Sequence, residues 1–136
     1  DIAKYKGVIE TLKWNDVREM SKNGYEFGSH TRSHADLSKI SDNNDILIDE
    51  INGSKSDINI QLNNNCNFFA WPFGEMKHIN DKSLEFVRKA GYKACFGAFR
   101  GSLITGKTNI LRLPRHHFEV EWPLTHIKYF VMGNME

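Results

Sequence analysis

Two histidines four positions apart, His30 and His34, stand in the run Gly28-Ser29-His30-Thr31-Arg32-Ser33-His34, directly after Tyr25-Glu26-Phe27. Neutral imidazole is a good ligand for zinc and similar borderline cations. If the turn is helical, spacing i and i+4 puts both rings on one face. If it is a loop, the small residues around the pair permit the same convergence. One turn then offers a divalent metal two of its ligands. The alternative is a polar surface loop with two ordinary histidines, so the pair is weighed by the elements that carry it.

Those elements alternate along the chain. Trp14, Val17 and Met20 share one face of a helix that Asn15 or Asp16 can start and Asn23-Gly24 ends. Tyr25 to Ser29 reads as a strand delivering His30. The cluster Ser41 to Asp45 caps a long amphipathic helix on which Leu47, Ile51, Ser54, Ile58 and Leu62 recur every three or four residues, until Asn63-Asn64-Asn65 stops it. Asn67 to Trp71 is short, aromatic and apolar, a buried strand ending at Pro72-Phe73-Gly74. A helix from Asn80 or Asp81 to Ala90 buries Leu84, Phe86 and Val87 and stops at Gly91. Tyr92 to Gly97 reads as a third strand, Gly101 to Thr108 as a loop, and Leu111 to Phe118 as a fourth strand that Pro114 marks as an edge or a bulge. Ile127 to Met132 is a closing helix. Alternation of this kind implies an α/β fold of parallel strands under helices, with sites at the carboxyl ends of the strands. His30 and His34, Pro72-Phe73-Gly74 and Arg115-His116-His117 all fall at such ends, on one rim.

Bulk properties narrow the classes. With 136 residues the chain suits one domain. A net charge of +1 and the lack of a basic run give no electrostatic case for nucleic acid. No apolar stretch approaches the roughly 20 residues that span a bilayer, and Asp1 to Lys6 shows no apolar signal core. The chain opens without methionine, as an internal piece of a longer one would. Cys66 and Cys95 allow one bridge at most, or two buried thiols.

Ser29-His30-Thr31-Arg32-Ser33-His34 matches the H-[ST]-x-x-H motif of the polysaccharide deacetylases, carbohydrate esterases related to rhizobial chitooligosaccharide deacetylase. Phe69-Ala70-Trp71-Pro72-Phe73-Gly74 resembles the F-A-[YW]-P-[YF]-G motif of one branch, and Leu113-Pro114-Arg115 its L-P-R element. The similarity runs from about Leu12 to about Phe118. The resemblance implies a distorted (β/α) barrel, a single bacterial catalytic domain over 1–136, a divalent metal (zinc in first place) on one aspartate and two histidines, and removal of N-acetyl groups from an acetylated glycan. It implies His30 and His34 as metal ligands and the backbone N–H of Phe73 as an oxyanion donor. Arg115 would hold the catalytic aspartate, and His116 or His117 would protonate the leaving amine. His117 is favoured because on a regular strand it shares a face with Arg115. A cell-envelope or extracytoplasmic setting follows by resemblance, while the oligomeric state is not legible.

There are departures. The family's T-F-D-D motif, which supplies the metal-binding aspartate and the base, is missing. Only Asp1 and Asp16 precede His30, and Asp16 is better read as a helix-start residue. The barrel is therefore expected to be incomplete at its N-terminus, with no third metal ligand in this chain. Phe69 stands where other branches have arginine. Leu124-Thr125-His126 reads as a chance match to the last motif, L-x-H. Trp71 and Phe68 read as core, Trp122 as either packing or a sugar-stacking ring, His78 as a solvated loop residue, and Arg115 as a surface charge if it is not functional. Two other readings stay open, a non-catalytic carbohydrate-binding module and an amidase acting on a small amide.

Overall fold

The structure, a computed structural model, describes residues 11–133; Asp1 lies outside them. Helix α1 spans Trp14–Lys22. The Lys13 N–H donates to Asp16 at 2.7 Å, so Asp16 serves the helix start from the first turn. α2 (Asn44–Ile48) is capped by Asn43, whose side chain accepts from the N–H groups of Asp45 and Ile46 at 3.1 Å. A wide π turn, Asp49–Gly53, leads into α3, Ser54–Leu62. Asn63, at φ 49°, ends it in the left-handed region. β1 (Phe68–Ala70), a 3₁₀ turn (Met76–His78), α4 (Asp81–Lys89), β2 (Ala94–Phe96) and α5 (Leu124–Val131) follow. No helix among the described residues is long and apolar enough to cross a membrane.

β1 and β2 pair in parallel, with Phe69 opposite Cys95. Single parallel bridges extend the ladder on both sides, Ser29 to Phe69 and Phe96 to Leu113. Four parallel segments therefore stand side by side in chain order, joined by crossovers, which is the construction of a (β/α) barrel. The first and fourth are shorter than expected. Of Tyr25 to Ser29 only Ser29 joins the ladder, through its N–H to the Phe68 carbonyl (2.9 Å) and its carbonyl to the Ala70 N–H (2.8 Å). Of Leu111 to Phe118 only Leu113 forms a bridge. Pro114 has no N–H to continue it, and the chain leaves the sheet there.

Side-chain alternation sorts the two faces. Phe69 and Cys95 point to the helices and are fully buried. They join Leu47, Ile51, Val87 and Trp71 in one core. Each large side chain so buried contributes roughly 1.5–3 kcal/mol. Phe68, Ala70 and Phe96 point the other way. Phe68, expected in the core with Trp71, instead lines a groove of about 320 Å³ together with Gly28, His30 and Phe96. Trp71 is core, and its indole N–H donates to the Leu111 carbonyl at 3.0 Å.

Candidate active site

His30 directly follows the ladder residue Ser29, so its ring falls on the groove face. Its Nδ1 lies 2.8 Å from the Ala70 carbonyl oxygen. A carbonyl can only accept, so Nδ1 carries a proton, and of the two neutral tautomers this bond selects the one with its lone pair on Nε2. This is the arrangement in which imidazole binds a metal. The His34 ring stands edge-on to it with centroids 4.8 Å apart, and neither of its nitrogens has a hydrogen-bond partner among the described residues. The turn between them is not helical. It is folded by two left-handed residues, Thr31 (φ 66°) and His34 (φ 61°). Positive φ costs a non-glycine residue on the order of 1–2 kcal/mol, so the surroundings must impose it.

Those surroundings come from the π turn. Glu50, 7 % exposed, accepts the N–H groups of Arg32 and Ser33 on one carboxylate oxygen at 2.9 Å each, and the Ser33 hydroxyl on the other. Burial pushes the Glu50 pKa up, but the bonds from the Ser33 hydroxyl, the Ser33 N–H and the Arg32 N–H outweigh it and hold the group below the ordinary glutamate value. Arg32 forks outward to Asp57 at 2.9 Å and to Asp49. Underneath, the buried Ser29 hydroxyl meets that of Ser54 at 2.8 Å. Motif and spacing do not single out Glu50, yet the sequence carries a signal for it. It lies three residues after Leu47 and four before Ser54, inside the apolar stripe of the helix, where a charge needs a partner.

The Phe73 ring packs on His34 at 4.8 Å and on His78 at 5.4 Å. Phe73 itself is left-handed, at φ 60°. Gly74 N–H closes back on the Pro72 carbonyl at 2.6 Å, a tight turn around Phe73. Nothing among the described residues takes up the Phe73 N–H. His78 is not the solvated loop residue expected: it is half-buried in the 3₁₀ turn, and its Nδ1 accepts the Glu75 N–H at 3.2 Å. The Gly74 carbonyl accepts the Ala98 N–H at 2.8 Å. Arg115 Nε donates to the neighbouring Gly97 carbonyl at 2.7 Å, and its guanidinium stands 5.8 Å from the centre of the Phe96 ring. The histidine turn, the Pro-Phe-Gly turn and Arg115 therefore form one continuous rim.

The sequence model of one family, described as polysaccharide deacetylase, matches residues 2–95. The chain belongs to the polysaccharide deacetylase family. Among solved structures it is similar to the Streptococcus pyogenes deacetylase PplD in complex with acetate, at 27% identity and TM-score 0.75 over 90% of this chain and 52% of that one. It is also similar to a polysaccharide deacetylase from Bacillus cereus, at 27% identity and TM-score 0.66 over 80% of this chain and 32% of that one. A de-N-acetylase from Aggregatibacter actinomycetemcomitans shares the fold at 16% identity and TM-score 0.57, over 88% of this chain and 53% of that one. No curated protein matches the chain. The chain thus spans about half the length of the streptococcal protein and a third of the Bacillus one. The fold is the deacetylase-type (β/α) barrel, present as an incomplete barrel among the described residues.

Other expected members of this deacetylase-family site stand differently. No group of three histidine, cysteine or acidic side chains able to hold a metal occurs among the described residues, and no carboxylate among them pairs with Arg115. Strand alternation, which favours His117 over His116, does not apply, because the chain has left the sheet before either residue. Both rings line a cleft of about 350 Å³ with Ala98, Arg115 and Phe118. His117 Nε2 pairs with Glu119, whereas His116 packs on Phe130 at 4.9 Å. Trp122 packs edge-on against His117 and His126, at 6.2 and 6.1 Å.

Proposed function

We propose that the rim is the metal-binding half of a site that hydrolyses N-acetyl groups of an acetylated glycan. The observation that carries this reading is the His30 Nδ1 bond to Ala70, which leaves Nε2 free beside the His34 ring. Both donors are imidazole nitrogens, the set that suits zinc. A bound divalent ion would supply an activated water and polarise the acetamide carbonyl. The chain's own residues do the rest. The Ala70 carbonyl holds the His30 ring in place. The unpaired Phe73 N–H donates to the oxyanion that develops on the acetamide oxygen. Arg115, held by Gly97, is placed to orient a carboxylate at the rim. His117, paired with Glu119, returns a proton to the leaving amine. The acetate bound in the streptococcal relative agrees with release of acetate as product.

Zinc stoichiometry and acetate release from acetylated chitooligosaccharides test the reading, on the chain and on the longer protein if it is part of one. One zinc per chain is expected, with metal and activity lost together in His30→Ala. A His30→Ala protein that keeps both would overturn it.

A further inference from the structure

We propose that Glu50 is the positioning residue of the histidine pair, fixing the turn from Thr31 to His34 in the shape that accepts the metal. The inference rests on the metal-site reading above and extends it to a residue that touches neither metal nor substrate. Three donors of one turn, Arg32 N–H, Ser33 N–H and the Ser33 hydroxyl, all end on this single carboxylate. They come from the two residues enclosed by the left-handed pair Thr31 and His34. No other buried acceptor among the described residues is shared by those groups. The Arg32 fork to Asp49 and Asp57 also ties the turn to the helix, but all three side chains are about half exposed, and exposed pairs hold geometry weakly. The π turn is what brings the carboxylate there: its widened loop buries both Glu50 and Ile51, the first under the histidine turn and the second in the core. Such turns recur at functional sites. Without the carboxylate the Arg32 and Ser33 amides can turn to water, Thr31 and His34 are free to leave positive φ, and the His34 ring parts from His30.

The test is zinc affinity, read by competition with a chromophoric chelator, together with hydrogen exchange of the Arg32 and Ser33 amides in the metal-free chain. Glu50→Leu keeps the bulk and removes the acceptor. Glu50→Asp keeps the charge but withdraws it by one methylene. Either should lower zinc affinity about 10–100-fold, the usual effect of losing a partner that orients a metal ligand, and should speed exchange of both amides. Glu50→Gln can accept the two amides on its oxygen and donate to the Ser33 hydroxyl, so affinity close to the wild-type value is expected. Should Glu50→Leu fail to fold, Glu50→Asp decides. If the wild-type chain binds no zinc, the metal-site reading falls and this inference falls with it. If the wild type binds zinc and His30→Ala does not, but Glu50→Asp and Glu50→Leu match the wild type, this inference alone is overturned.

Discussion

Gly74→Ala probes how the Pro-Phe-Gly turn is set against the next strand. Gly74 has φ +63°, and a Cβ at that position would lie 2.6 Å from the Ala98 backbone nitrogen and 2.9 Å from the Ala98 Cβ. Two costs follow. The left-handed conformation alone costs an alanine about 1–2 kcal/mol. The turn must also back away by close to an ångström, which breaks the bond from the Ala98 N–H to the Gly74 carbonyl and costs about another 0.5–1.5 kcal/mol. Gly106 is a built-in control: its φ is +74°, and an added Cβ there would meet nothing within 4 Å, so Gly106→Ala bears only the first cost. Urea unfolding of the two variants should show Gly74→Ala losing about 2–3 kcal/mol and Gly106→Ala about 1–2 kcal/mol. Because Phe73 moves with the turn, the proposed acetate release should fall about 100-fold in Gly74→Ala if the deacetylase reading holds, the effect of misplacing a reacting group by an ångström. Equal destabilisation by the two substitutions would refute the claim that the backbone of Gly97 and Ala98 fixes the turn.

Further outcomes follow from buried polar groups. Ser29→Ala and Ser54→Ala each strand one hydroxyl of a 2.8 Å buried pair and should each cost about 1–2 kcal/mol. The double variant should cost about 1 kcal/mol less than the sum, and strict additivity in urea unfolding would exclude a shared bond. Burial pushes the Cys95 thiol up to about 12 and raises Cys66 as well. Cys95 stays protonated when folded and ionises when unfolded above about pH 8.5, and burial shifts Cys66 in the same direction. The folded state therefore holds protons that the unfolded state has released, and stability falls as pH rises past about 9, by up to about 1.4 kcal/mol per unit for each thiol. Lys55, whose pKa burial lowers, offsets part of that slope. Unchanged stability from pH 8 to pH 10 would contradict it.

The order of elements was legible because apolar periodicity records which side of a helix or strand is buried. Leu47, Ile51 and Ser54 are buried as their spacing requires, and Phe69 sits in the strand the aromatic run announces. What periodicity does not record is how many residues actually pair. Tyr25 to Ser29 and Leu111 to Phe118 read as strands just as Phe68 to Ala70 does, but in them only Ser29 and Leu113 form a bridge. The face chosen for Phe68 was unreadable for the same reason: a run of apolar residues has no alternation until the ladder supplies one. The histidine spacing pointed to a shared site, while the turn that converges the rings is made by positive φ at Thr31 and His34, residue types that do not advertise it. Glu50 differs, since a charge in an apolar stripe is itself a mark.

The arginine between the two histidines has a consequence for whatever approaches them. A lone guanidinium beside a pair of imidazoles would repel a dication. Here the guanidinium is paired with two carboxylates, Asp57 and Asp49, and a third, Glu50, takes the backbone N–H of the same residue, so the formal charges of this cluster sum to a negative value. The reach of that charge in physiological salt is about 8 Å, enough to draw a cation over the last few diameters of its path. On the metal-site reading proposed above, the turn would thus draw in the cation that its two rings would bind.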